Sequence, residues 1–141
     1  MSVVVVTRMK VRKWRNLPRF VRGSIATARQ ARRSPGFLGG RLRVEPGGAF
    51  WTLTVWECCG DMVAFRDSGI HAILVPRLAG WASEAVFGVW NSENADTPGW
   101  QEASCRVAAH PNFAPLDAPA RAHKNGEVVP AQRLGLDLPI P

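Results

Sequence analysis

The sequence predicts an α+β fold whose elements run in the order β-α-β-β-α-β over residues 3–91. Three observations carry this. Val3 to Lys13 and Ala49 to Cys58 alternate with period two, as strands with two distinct faces do. Leu17 to Arg33 and Gly60 to Leu78 repeat at helical spacing. Between two strand-like runs, Glu45-Pro-Gly-Gly48 supplies a hairpin turn.

In the first strand Thr7, Met9 and Val11 share one face, and Arg8, Lys10 and Arg12 share the other. The first face covers the helices, so the second must meet water, a partner or a polar ligand. Leu17-Pro18 opens the first helix, with Asn16 as its cap and proline near its first position. Leu17, Val21, Ile25, Ala28 and Ala31 form its inward stripe. Ser34-Pro35-Gly36 ends it, because proline removes a donor and restricts the residue before it. Phe37 to Val44 is the second strand, softened by Gly39-Gly40. On the third, Phe50, Thr52, Thr54 and Trp56 face one way, and Trp51, Leu53 and Val55 the other.

The second helical stretch starts at Gly60-Asp61 with Met62 and Phe65 inward. Ser68-Gly69 interrupts it, and Pro76 is a further break, so two short segments are expected rather than one rod. Glu84 to Trp90 is the fourth strand. Beyond Asn91 the character changes. Thr97-Pro98 signals a short helix from Gly99 to about Ala108, and from His110 prolines recur while apolar periodicity fades. The expected division is a sheet-and-helix domain over 1–95 and a short helix with a Pro-rich arm over 96–141.

Composition narrows the function classes. The start, with four valines followed by basic residues, does not read as a secretory signal, and no stretch reaches the roughly 20 apolar residues that span a bilayer. A cytoplasmic protein is expected. Cys58, Cys59 and Cys105 make no disulfide framework and no metal-ligand spacing, so no metal site is expected. The adjacent pair is expected to end a buried strand. Before Glu45 stand twelve basic residues and no acidic one. Such a field attracts nucleic acid, an anionic membrane surface or an anionic small molecule, and a merely solvated surface is the plain alternative. The glycine-and-aromatic strand signature that stacks bases is absent, so nucleic acid is not the expected partner. Nucleotide-binding glycine loops and hydrolase elbows are missing as well.

The whole is a ferredoxin-like, four-stranded antiparallel sheet with helices on one face. Its other face is open unless something covers it, and such sheets commonly pair face to face. Three segments sharpen the reading: Ala31-Arg-Arg-Ser-Pro-Gly-Phe-Leu-Gly-Gly40, Phe50-Trp-Thr-Leu-Thr-Val-Trp-Glu57 and Ala64-Phe-Arg-Asp-Ser-Gly-Ile-His71. In these the chain resembles the antibiotic biosynthesis monooxygenase superfamily of dimeric α/β barrels. There is a looser similarity to spheroidene-type monooxygenases.

The resemblance implies a homodimer and a pocket between the sheet and its own helices for a hydrophobic small molecule, aromatic or polyene. Its lining would come from Trp14, Phe20, Phe50, Trp51, Trp56, Phe65 and Trp90, although tryptophan and phenylalanine at such spacings are also the usual core residues. His71 is the candidate base, since imidazole titrates near neutrality and can take a proton from a phenol or enol. The resemblance further implies that such a proton loss readies the substrate for dioxygen without a cofactor. Arg8 or Arg12 would stabilise the oxyanion. Heme-degrading relatives place an iron-binding histidine about one turn beyond His71, where this chain has Val75-Pro76, and favour an asparagine on the first strand, where it has none. Heme is therefore disfavoured. A non-oxidative isomerase or cyclase, and a non-catalytic binding module, stand as the alternatives.

Overall fold

The computed structural model describes residues 1–140. It contains β1 (Ser2–Val11), α1 (Leu17–Arg33), β2 (Phe37–Glu45), β3 (Ala49–Trp56), α2 (Cys59–Arg66), α3 (Gly69–Trp81), β4 (Ala82–Ser92), α4 (Trp100–Ala109), β5 (Asn112–Phe113), α5 (Arg121–Lys124) and β6 (Leu136–Ile140), with a 3-10 turn at Trp14–Asn16 before α1. The β1–β4 unit is the predicted ferredoxin-like one. Its four strands are antiparallel in the order β4-β1-β3-β2, and β5 and β6 extend the two edges.

Register explains the two faces. Val5 pairs with Thr54, Thr7 with Thr52 and Met9 with Phe50, so these side chains share the face beneath α1–α3. Val4 pairs with Val55, Val6 with Leu53 and Arg8 with Trp51, and these share the opposite face.

That opposite face is not open. α4 lies on it with Trp100, Ala103 and Val107 buried among Val4, Val6, Trp51, Leu53, Val55 and Val86. Gly88 makes the contact close, since a Cβ there would stand 3.3 Å from the Val107 Cα. Beside α4 the returning chain is tied by a buried polar network. Arg43 donates to Asp137 Oδ1 at 3.1 Å and to the Gln132 carbonyl at 2.6 Å. Glu45 accepts from the Trp51 indole at 2.8 Å and from the Gln132 amide at 2.6 Å. The short helix expected from Gly99 to about Ala108 is α4, and the Pro-rich arm after it, expected to carry no regular structure, adds a short strand to each edge of the sheet. Its signal was weak because Leu136-Asp-Leu-Pro-Ile140 is a short edge strand with a proline inside.

Local corrections have local causes. α1 turns Phe20 and Ala31 inward, while Leu17, Val21 and Ile25 stay 37, 37 and 45% exposed. The true inward face is a stripe of small and hydroxyl residues, which an apolar count passes over. Asn16 makes no side-chain cap, because the 3-10 turn already leads into the helix. Cys58 and Cys59 are exposed at the start of α2, since β3 ends at Trp56. α3 runs through Pro76, which is exposed, so the carbonyl left without a helical donor can turn to water.

Candidate functional site

Between the sheet and the helical layer lies a cavity of about 350 Å³. Pockets that hold small organic molecules run from about 300 to 1,000 Å³. Its floor is the helix-side face of the sheet, with Thr7 and Thr52 side by side and Thr54 next along β3. α1 forms one wall through Phe20, Gly23, Ser24 and Thr27. α3 forms the other through His71, Leu74, Leu78 and Trp81. The cavity exists because α1 offers small residues where a packed helix would offer leucines, and because α3 buries none of its side chains fully.

One end is closed by a row of rings. Phe37 meets Trp56 edge-on at 5.4 Å, Trp56 stacks on Phe65 at 4.9 Å, and Phe65 lies 4.9 Å from the His71 ring. The Trp56 indole donates to Thr54 Oγ1 at 3.0 Å, which satisfies a buried N–H and fixes the ring.

His71 stands at the α2–α3 break, held by two hydrogen bonds. Its Nδ1 lies 2.9 Å from the Arg66 carbonyl. A carbonyl oxygen only accepts, so this contact puts the proton on Nδ1 and leaves the Nε2 lone pair free. Gln30 reaches across from α1, accepting from the His71 amide at 2.9 Å and donating to the carbonyls of Phe65 and Ser68 at 3.1 and 2.8 Å. Gly69, at φ +58°, admits that carboxamide, since a Cβ there would come within 2.9 Å of it. Burial lowers the His71 pKa below its ordinary 6.5, opposed by the hydrogen bond to the Arg66 carbonyl. The ring is therefore neutral at physiological pH.

Of the residues singled out from sequence, Phe20, Trp56, Phe65 and His71 line this cavity. Phe50 is on the same face but outside the lining, packed against Phe20 at 4.7 Å. The others lie elsewhere. Trp51 is fully buried on the second face against Trp100. Trp90 packs on that same side, with the Arg106 guanidinium 5.3 Å from its ring. Trp14 is 87% exposed.

Arg8 lies across the sheet from His71, buried and paired with Glu84 at 3.1 Å, and Arg12 is exposed. The alternation that puts Thr7 over the cavity necessarily points Arg8 away from it, so neither arginine is placed to meet an oxyanion there. Sequence reasoning missed Thr7, Thr52, Thr54, Ser24 and Thr27, the hydroxyls that give the cavity its polarity. The period-two threonines of β3 were the available signal. Among the described residues no three of His, Cys, Asp and Glu come together as a metal-ion cluster.

No protein-family model matches the chain, and no curated protein sequence does. Solved structures do. SnoaB from Streptomyces nogalater, described as a cofactor-independent oxygenase, is 18% identical at a TM-score of 0.56, matching 66% of this chain and 94% of its own. Rv0793 from Mycobacterium tuberculosis is 12% identical at a TM-score of 0.62, matching 69% of this chain and all of its own. A structure described as an antibiotic biosynthesis monooxygenase is 15% identical at 0.57, over 65% and 99%. The likeness suspected from sequence therefore holds at the level of fold. The chain shares the ferredoxin-like fold of these structures, and about a third of it lies outside each match.

Proposed function

We propose that this protein is a small monooxygenase-like enzyme that acts, without a metal cofactor, on an apolar aromatic or polyene molecule. One observation carries the reading: a single imidazole, neutral and with a free Nε2, lines a largely apolar cavity of ligand size. The shared fold with a structure described as a cofactor-independent oxygenase supports it.

In this reading the substrate lies flat between the threonine floor and the helices, with its far edge against Trp56 and Phe65. His71 Nε2 takes a proton from an acidic C–H or phenolic O–H, leaving an electron-rich anion. Thr7, Thr52, Ser24 and Thr27 supply hydroxyl donors for the oxygen that carries the charge, the task first assigned to Arg8 and Arg12. The anion reduces dioxygen and a C–O bond forms. The O–O bond then breaks as the oxygenated carbon gives up its remaining C–H proton, with one oxygen kept as a carbonyl and the other leaving as water, whose two hydrogens are that proton and the one returned from Nε2. Dioxygen is the only oxidant the balance requires.

One chain is taken as the working unit. The resemblance implies a homodimer, but both walls and the floor of the cavity come from a single chain, and α4 occupies the face through which such sheets pair. Sedimentation at micromolar concentration should give the mass of one chain. A dimer that persists on dilution would mean that pairing uses another surface.

The deciding experiment is oxygen uptake with polyphenol and polyene substrates, followed by mass spectrometry of products made under labelled dioxygen. Incorporation of one labelled oxygen that disappears in His71→Gln is the expected result. Absence of both turnover and binding would sink the proposal. Turnover without oxygen incorporation would transfer the site to an isomerase or cyclase.

A further inference from the structure

We infer that the outer surface of the helical layer is a docking face for an anionic lipid bilayer, on which the protein sits as a peripheral protein. Two features coincide there, and neither is used by the cavity.

The first is charge. Arg12, Lys13, Arg15, Arg19, Arg22, Arg29, Arg32 and Arg33 are all exposed, and among the described residues none has a carboxylate within ion-pair distance. No acidic residue occurs in the chain before Glu45. Elsewhere the cations are mixed: Arg8, Arg41, Arg43, Arg66 and Arg106 have carboxylate partners, while Arg77, Arg121, Lys124 and Arg133 are exposed without one among the described residues. The unpaired cations are thus densest on α1 and the turn before it.

The second is apolar exposure on that same element. Trp14 is 87% exposed at the mouth of the helix. Leu17, Val21 and Ile25 continue from it every four residues, so they stand in one row along the helix. α3 runs alongside and adds Ile73, 55% exposed, and an exposed Arg77.

Cations alone would fit any polyanion. Interspersed aliphatic side chains with a terminal indole fit a bilayer, where the row enters the acyl boundary, the indole sits at headgroup level and the arginines reach back to lipid phosphates. A nucleic acid gains nothing from Val21 or Ile25. The helix that would meet the bilayer also walls the cavity with its opposite face, through Phe20, Ser24 and Thr27. A water-insoluble ligand would therefore have a short route inward, although docking itself does not depend on the catalytic reading.

The test is co-sedimentation of the full chain with vesicles of phosphatidylcholine containing about a third phosphatidylglycerol, against pure phosphatidylcholine. Binding to the anionic vesicles alone is expected, weakening with salt. Each arginine removed near the surface should cost about fivefold in affinity, so Arg19→Gln with Arg22→Gln costs about twenty-five-fold. Trp14→Ala and the double variant Val21→Ser with Ile25→Ser should each weaken binding by tenfold or more at unchanged circular dichroism. These side chains are exposed, so their loss leaves the core intact. Equal binding to both vesicle types, or none, overturns the inference. So does tighter binding to a DNA or RNA duplex that survives Trp14→Ala and the serine variant, which would make the face a nucleic-acid surface.

Discussion

The two faces of one sheet are built to opposite ends. On the α4 side Trp51, Leu53, Val55, Val4, Val6 and Val107 are all but completely buried, and a glycine is needed for the helix to come close enough. On the α1–α3 side the same strands present threonines and a methionine to a hollow. Alternation along β1 and β3 assigns neighbouring residues to these two environments, so one step in sequence separates a structural side chain from one available to a ligand. Trp51 and Thr52, and Arg8 and Thr7, are such pairs. Identity of residue is thus a poor guide to role here, and parity along the strand is a good one.

The sharpest way to break this comparison is to empty the packed side. Trp51→Ala should cost about 3–5 kcal/mol, since it removes one of two fully buried indole rings and its hydrogen bond to Glu45. That is a large share of the roughly 5–15 kcal/mol a domain of this kind has, and urea unfolding would register it. A loss under 1 kcal/mol would mean that α4 does not pack as described. The counterpart on the hollow side is His71→Gln. It should lower turnover by about 10²–10⁴-fold, the usual worth of a general base, while the unfolding midpoint moves little. Equal losses of stability and rate would show that His71 is structural.

Gln30→Ala probes the strut between the two helices. Three hydrogen bonds are lost and the carbonyls of Phe65 and Ser68 lose a donor, for a cost of about 1–3 kcal/mol. If the strut positions the base, kcat should fall more than KM rises, and the acidic limb of the pH–rate profile should shift. A change in stability alone would restrict Gln30 to holding the helices.

The titration of His71 gives a smaller effect with a definite sign. Its folded pKa is depressed by burial, so between that value and 6.5 the unfolded chain binds more protons than the folded one. Stability is then flat above 6.5, falls as pH drops through that window, and levels off below the folded pKa. Histidine NMR against pH would check it, and a His71 titrating above 6.5 would contradict it. The activity's acidic limb should likewise lie below the value of a free imidazole. Least of all, Thr52→Val should leave stability within about 0.5 kcal/mol and weaken a hydroxyl-bearing ligand by one hydrogen bond, about 0.5–1.5 kcal/mol. Isothermal calorimetry with and without the ligand hydroxyl separates that contact from a change of shape.

Much of the fold was legible because periodicity is local. β1, β3 and the hairpin turn follow from alternation and from Gly47-Gly48, and α1 from its punctuation by Pro18 and Pro35. The interrupted second helix was readable in Ser68-Gly69, the break that seats His71. α1's inward face differs from the expected one because the stripe that lines the cavity is Gly23, Ser24 and Thr27, residues that carry no hydrophobic signal. The arginine row on β1 marked a face that had to meet water, a partner or a polar ligand. Whether Arg8 met a substrate, a partner or Glu84 depended on what lay across the sheet.

By itself, then, the sequence determined the order of elements over residues 3–91, the alternation along β1 and β3, the cationic character of α1 and the presence of an imidazole at the helix break, all of which depend on near neighbours in the chain. Tertiary structure alone decided which parity of β3 faces the hollow and that residues after Asn91 return to cover the other face. It also decided that Gln30 and the Arg66 carbonyl orient His71. Those outcomes rest on contacts between residues far apart in sequence, and no local pattern encodes which distant partner will arrive.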